Sequence, residues 1–187
     1  MSIAVTTQVR AGPTVGVALP VPDPWGRVLR EARLGYGEDR AAHIPTHVTL
    51  LPPTEVEVGK VDQFRGHLAD VAAAHCPFEV VLRGTGTFRP VSQVVYVQVA
   101  QGVGPCEQLE RSVRRGPVSP SVAFPYHPHV TVAHDLPEVV LDRAFAELAD
   151  FTCRFIATQF RMYLHHGDQV WRSVAGYELT VDAAVTG

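Results

Sequence analysis

His47-Val48-Thr49-Leu50 and His129-Val130-Thr131-Val132 repeat one form, His-x-Thr followed by an aliphatic residue, at a separation of 82 positions. In an extended chain, residues i and i+2 share a face. Each copy therefore sets an imidazole beside a hydroxyl and turns its two aliphatic neighbours the other way. An imidazole titrates near ~6.5, so at neutral pH one ring of a pair can accept a proton while the other donates one. The hydroxyls can donate to non-bridging phosphate oxygens, where charge accumulates as a phosphodiester is displaced in line. A single His-x-Thr is common in strands. Two copies, each entered through a proline-bearing turn (Pro45-Thr46 and Pro128), point to phosphoester chemistry without a metal. If the two strands meet about a pseudo-twofold axis, His47, Thr49, His129 and Thr131 converge on one cleft.

The elements that must position these groups read as a mixture of helices and strands. Residues 14–21 (TVGVALPV) form an apolar strand, and Asp23-Pro24 opens a helix that ends near Gly35 or Gly37. A short strand over 47–52 is ended by Pro52-Pro53, and Val61, Phe64, Leu68 and Val71 mark an amphipathic helix reaching His75. Strands follow at 78–88 and 94–99. The order then resumes with a helix from Pro105 to Arg115, a Pro- and Ser-containing loop, a strand at 129–134, and a helix opened by Pro137. The last helix presents Leu141, Phe145, Leu148 and Phe151 as its apolar stripe. Two long alternating stretches, 153–164 and 169–180, are joined by a turn at His166-Gly167-Asp168. Hairpins outnumber strand–helix–strand crossovers. The expected class is therefore α+β with mostly antiparallel sheet, folded as one bilobal domain over 1–187 with approximate halves 14–100 and 101–180.

The 187 residues carry a formal charge of −3, which argues against a uniformly basic surface for long duplex nucleic acid. No apolar run approaches the ~18 residues that span a bilayer. The opening MSIAVTTQVRAG lacks the pattern of a secretion signal, so the expectation is a cytoplasmic monomer. Cys76, Cys106 and Cys153 are widely spaced and read as small buried hydrophobes. Lys60 is the sole lysine among 16 basic residues.

The paired HVTL and HVTV segments resemble those of the two-histidine (2H) phosphoesterases, in particular the bacterial 2′-5′ RNA ligase-like branch with its cyclic-nucleotide phosphodiesterases. The resemblance covers roughly residues 14–180. It includes GTGTFRPVSQVVYVQV (84–99), similar to the family's glycine-rich turn, phenylalanine and apolar strand, and FPYHPHVTVAH (124–134), similar to its approach to the second motif. It implies two lobes around a central cleft, with His47, Thr49, His129 and Thr131 as the catalytic set. It also implies His129 as base toward the attacking group and His47 as acid toward the leaving oxygen. The activity implied is hydrolysis of a 2′,3′-cyclic phosphate to a 2′-phosphate, or reversible 2′-5′ RNA joining. Such hydrolysis needs no metal or nucleotide cofactor. Leu51-Pro52-Pro53 departs from the aromatic-Leu-Gly turn of ligase-like members. The chain also lacks a lysine-rich surface, so the expected substrate is a small cyclic phosphate or short RNA end.

Phe88 and Tyr126 precede cleft strands and are candidates for stacking on a base. Arg89 and Arg161 are candidate phosphate clamps. Trp171 reads as core, and His165-His166 as surface. A zinc site does not emerge: Pro45 breaks any helix joining His43 to His47, and His127-Pro128-His129 is too constrained for both rings to reach one ion. A competing reading is a non-catalytic module that holds a nucleotide or cyclic oligonucleotide in the same cleft. A proton donor set opposite a proton acceptor favours catalysis, because binding alone needs neither.

Overall fold

The computed structural model describes residues 12–121, 124–165, 167 and 170–180. Residues 1–11 of the opening segment and the turn positions His166 and Asp168 lie outside them. Twelve main elements follow in order: β1 (Thr14–Pro20), α1 (Trp25–Gly35), β2 (His47–Glu55), α2 (Val61–Ala73), β3 (Phe78–Thr87), β4 (Val94–Gln101), α3 (Val103–Arg114), β5 (His129–His134), α4 (Glu138–Glu147), β6 (Thr152–Ala157), β7 (Gln159–His165) and β8 (Arg172–Glu178). They form the expected α+β arrangement. Two four-stranded sheets, ordered β2-β1-β7-β8 and β5-β4-β3-β6, are antiparallel at every pairing. Each sheet takes two strands from the first half of the chain and two from the second.

The stretch 153–164, read as one strand, is two. Cys153, Phe155 and Ala157 are buried along β6, and then Phe160 and Met162 along β7, so the inward parity flips from odd to even across Thr158. Here the chain leaves one sheet for the other. The β2 strand also runs past its expected end at Pro52-Pro53. It is an edge strand bonded only to β1, so the prolines' missing N–H groups cost no ladder bonds on the open side. A bulge absorbs the distortion: Leu51 pairs with Val17 and Thr54 with Val15, leaving Pro52 and Pro53 opposite the single Gly16.

Alternation places Val48, Leu50, Val130 and Val132 in the buried core, leaving the four histidine and threonine side chains half-buried on the opposite faces. Phe145, expected in the inward stripe of α4, is exposed, whereas Leu141 and Ala144 are buried. Cys106 and Cys153 are buried as expected, but Cys76 is exposed.

Both His-x-Thr strands are edge strands, and they meet. β2 contacts β5, α1 reaches across to β5, and α3 reaches across to β2. The Tyr126 hydroxyl donates to the Thr49 carbonyl at 2.9 Å, bonding an open-edge group of β2 from the segment that leads into β5. Trp25 meets Phe151 edge-on at 6.4 Å, and Tyr36 at the end of α1 faces Arg143 of α4 at 5.3 Å. Replacing Tyr126 by Phe keeps the ring and removes only the bond to Thr49. Urea unfolding is expected to show a loss of about 1 kcal/mol with an unchanged m value, and no loss would remove this bond from the seam.

Candidate active site

A cavity of about 300 Å³ opens at the seam between the sheets, and His47, Thr49 and Thr131 line it together. His129 projects from the same face of β5 as Thr131, one pleat earlier. It is near enough to His47 that a charge on either ring opposes a charge on the other. The four motif residues thus stand along two abutting edges.

The two imidazoles are held alike. Nδ1 of His47 donates to the Pro45 carbonyl, and Nδ1 of His129 donates to the His127 carbonyl at 2.7 Å. A carbonyl can only accept, so the proton sits on Nδ1 and Nε2 is left for a ligand. In both cases the acceptor lies two residues upstream, in the proline-bearing approach to the strand. Thr46, buried, anchors the first approach by donating to the Gly26 carbonyl at 2.7 Å.

Desolvation lowers both histidine pKa values below the ordinary 6.5, only partly opposed by the carbonyl bonds. Arg33 adds to the depression at His47, while His127 and His47 add to it at His129. In the free site both rings are therefore neutral at pH 7.

His129 is walled by aromatic rings. Phe88 meets it edge-on at 5.0 Å, Tyr96 lies at 5.0 Å, and Phe88 and Tyr96 contact each other at 4.5 Å. Phe88 thus borders the site through His129. The glycine-rich turn explains how Tyr96 fits: Gly86 is its cross-strand partner, and a Cβ there would lie 2.5 Å from the Tyr96 ring. Only glycine lets the ring lie across β3.

The other candidates separate. Tyr126, considered for stacking on a base, spends its hydroxyl on the Thr49 carbonyl, and its half-buried ring packs against the core. Arg89 bonds Asp142 of α4 at 2.8 Å and Thr87 at 3.2 Å, which draws it away from the cavity. Arg161 lines an adjoining cavity, bonding Gln159 at 3.2 Å and Ser173 at 3.4 Å.

Several lining residues escaped sequence reasoning. Arg33 and Glu38 form a buried two-point ion pair, at 2.8 and 3.3 Å, beside His47. His134, at the far end of β5, joins His47 as the second imidazole lining the cavity. Trp171, expected in the core, is a cavity wall: its ring lies over Gly16, where a Cβ would sit 3.1 Å from the indole, and beside half-buried His165 at 5.2 Å. The glycine at 16, set between β-branched residues, was the available sign of a close approach. Among the described residues no group of three His, Cys, Asp or Glu side chains gathers to hold a metal, and no helix is long and apolar enough to cross a membrane.

The chain is similar to several known proteins. A protein of Geobacillus kaustophilus, provisionally named a phosphoesterase, is 26% identical over 123 residues, covering 66% of this chain and 70% of its own length. Another from Geobacillus thermodenitrificans is 29% identical over 96 residues, 51% of this chain, and the match spans about half (55%) of that relative. Among solved structures, E. coli LigT complexed with NADP+ superposes with a TM-score of 0.64 at 20% identity, covering 90% of this chain and 99% of LigT. The TT0787 protein of Thermus thermophilus gives 0.65 at 19% identity, covering 89% of this chain and 97% of its own. These likenesses show the fold. LigT has also been solved with 3′-AMP and with phosphate. The family model of the 2′-5′ RNA ligase superfamily matches residues 20–169, a span holding both His-x-Thr strands and most of the two sheets, and the chain belongs to that superfamily.

Proposed function

We propose that this protein is a phosphoesterase that opens 2′,3′-cyclic phosphates of nucleotides or RNA ends, or cleaves 2′-5′ phosphodiesters, by acid–base catalysis between His47 and His129. The observation that carries this reading is the matched presentation of the two motifs. Each imidazole has Nδ1 tied to a carbonyl two residues back and Nε2 free, and each stands beside a threonine on an edge strand abutting the other. The binding of 3′-AMP and phosphate by LigT, which shares the fold, is consistent with an anion between the edges.

In the reaction, Nε2 of His129 takes a proton from a water as its oxygen attacks phosphorus. Nε2–H of His47 protonates the departing ribose oxygen, so the P–O bond to one ribose oxygen breaks as the new P–O bond forms. Thr49 and Thr131 donate to the non-bridging oxygens as charge grows there. Because desolvation leaves both rings neutral in the free site, the acid must acquire its proton with the substrate. The phosphate's negative charge supplies the attraction that raises an imidazole pKa.

The sign of the pH dependence follows. One ring must be protonated and one neutral, and both pKa values lie below 6.5. The free-enzyme profile, kcat/KM, is expected to reach its maximum on the acidic side of pH 6.5 and to fall at higher pH. A maximum well above pH 7 would contradict the depressed pair.

Hydrolysis of 2′,3′-cyclic nucleotides is expected to survive excess chelator. His47→Ala and His129→Ala should each lower kcat by about 10²–10⁴-fold, and Thr49→Val or Thr131→Val by about 10²-fold. Activity lost to the chelator would indicate a metal hydrolase. Tight nucleotide binding without turnover would indicate the non-catalytic module.

A further inference from the structure

Thr49 of β2, Ala18 of β1 and Arg161 of β7 stand abreast, because Ala18 pairs with Thr49 on one side and with Arg161 on the other. Directly paired residues project to the same face of a sheet. The Arg161 side chain therefore rises from the face that carries the Thr49 hydroxyl, two strand spacings or about 10 Å away. Between them the first cavity meets β1 at Gly16, Val17 and Ala18, with the Trp171 ring over Gly16, so this face is a trough with Thr49 on one bank and β7 on the other.

The trough continues past the first cavity. A second cavity, of about 380 Å³, shares Pro45, Tyr163 and Trp171 with the first and adds Arg161 and Ser173. The charges lining the two are unlike those of the whole chain. Arg33, Arg40 and Arg161 face a single carboxylate, Glu38, which Arg33 already engages, whereas the protein carries −3 overall. Arg161 is held by Gln159 and Ser173, both neutral, and no carboxylate pairs with it among the described residues. Its guanidinium is thereby positioned without being neutralised, the state in which it binds an anion best.

We propose that this second cavity takes a second phosphate of the substrate, the 5′-phosphate of the nucleoside whose cyclic phosphate lies between the His-x-Thr pairs, with Tyr163 and Trp171 flanking that nucleoside. The preferred substrate is then the 5′-phosphorylated terminal residue of a short RNA strand, not a free nucleoside cyclic phosphate. This rests on the phosphoesterase reading and extends it to substrate class.

The test compares adenosine 2′,3′-cyclic phosphate, the same compound with a 5′-phosphate, and the dinucleotide in which that 5′-phosphate is esterified to a second adenosine. The wild-type protein is expected to favour both phosphorylated substrates over the first by about tenfold or more in kcat/KM, mainly through KM. Arg161→Gln should erase most of that preference and Arg161→Lys should retain part of it. A preference for the 5′-phosphate alone, without the dinucleotide, would identify free bisphosphorylated nucleotides as the source of the anion and overturn the RNA-end assignment. Turnover of all three at similar rates, or an equal loss on all three in Arg161→Gln, would overturn the second-phosphate site and leave the catalytic reading standing. Turnover of none by the wild-type protein would overturn both.

Discussion

The contact between two open sheet edges is the constraint on which the site depends. β2 and β5 each end a four-stranded sheet, so each has one row of backbone groups with no strand to bond. In this fold the two rows face one another across the lobe seam. The Tyr126 hydroxyl bonds one of the exposed carbonyls directly, and α1 and α3 each cross to the opposite edge strand. What remains is a seam with an imidazole–hydroxyl row on each of its two edge strands. A strand in the middle of a sheet could present the same residues, but it could not bring a second copy alongside them.

That placement also sets the electrostatics. Half-burial against Phe88 and Tyr96 on one side, and beside the Arg33–Glu38 pair on the other, removes water from the imidazoles and holds them neutral. The carbonyl bonds at Nδ1 act against this depression but do not cancel it, and they fix which nitrogen faces the ligand. The Arg33–Glu38 pair sits in the cavity wall with its charges matched to each other. Its evident effect is shape and local field at His47; as an isolated buried pair its net stabilisation is expected to be small. Arg40 lines the same cavity and Arg161 the adjoining one, and neither pairs with a carboxylate among the described residues. A protein of net negative charge thus keeps a positive lining in the two cavities beside the first His-x-Thr strand.

Most departures from the sequence reading have one cause, the neighbour that a side chain or strand finds in space. Pro52-Pro53 reads as a stop, yet an edge strand with a bulge opposite Gly16 accommodates it. Trp171 looks like core by alternation, but it covers that glycine and walls the cavity. Tyr126 and Arg89 have the chemistry to hold a nucleotide, and the Thr49 carbonyl and Asp142 engage them first. The parity change at Thr158 was visible in the apolar pattern of Cys153, Phe155, Phe160 and Met162. Its meaning, a passage between sheets, was not, because alternation records which residues face inward and not which sheet they join.

The class of fold, the position of nearly every strand and helix, and the two His-x-Thr rows were all legible in the order of the amino acids. Each follows from local rules of period, capping and face that operate within a dozen residues. Long-range packing alone settled that both rows lie on sheet edges, that those edges abut, and that Arg33, Glu38, His134, Arg161 and Trp171 gather around them. Which residues share a cavity depends on strand order and on contacts between segments as distant as Gly16 and Trp171. No local periodicity carries that information, because the burial that selects it is a property of the assembled core.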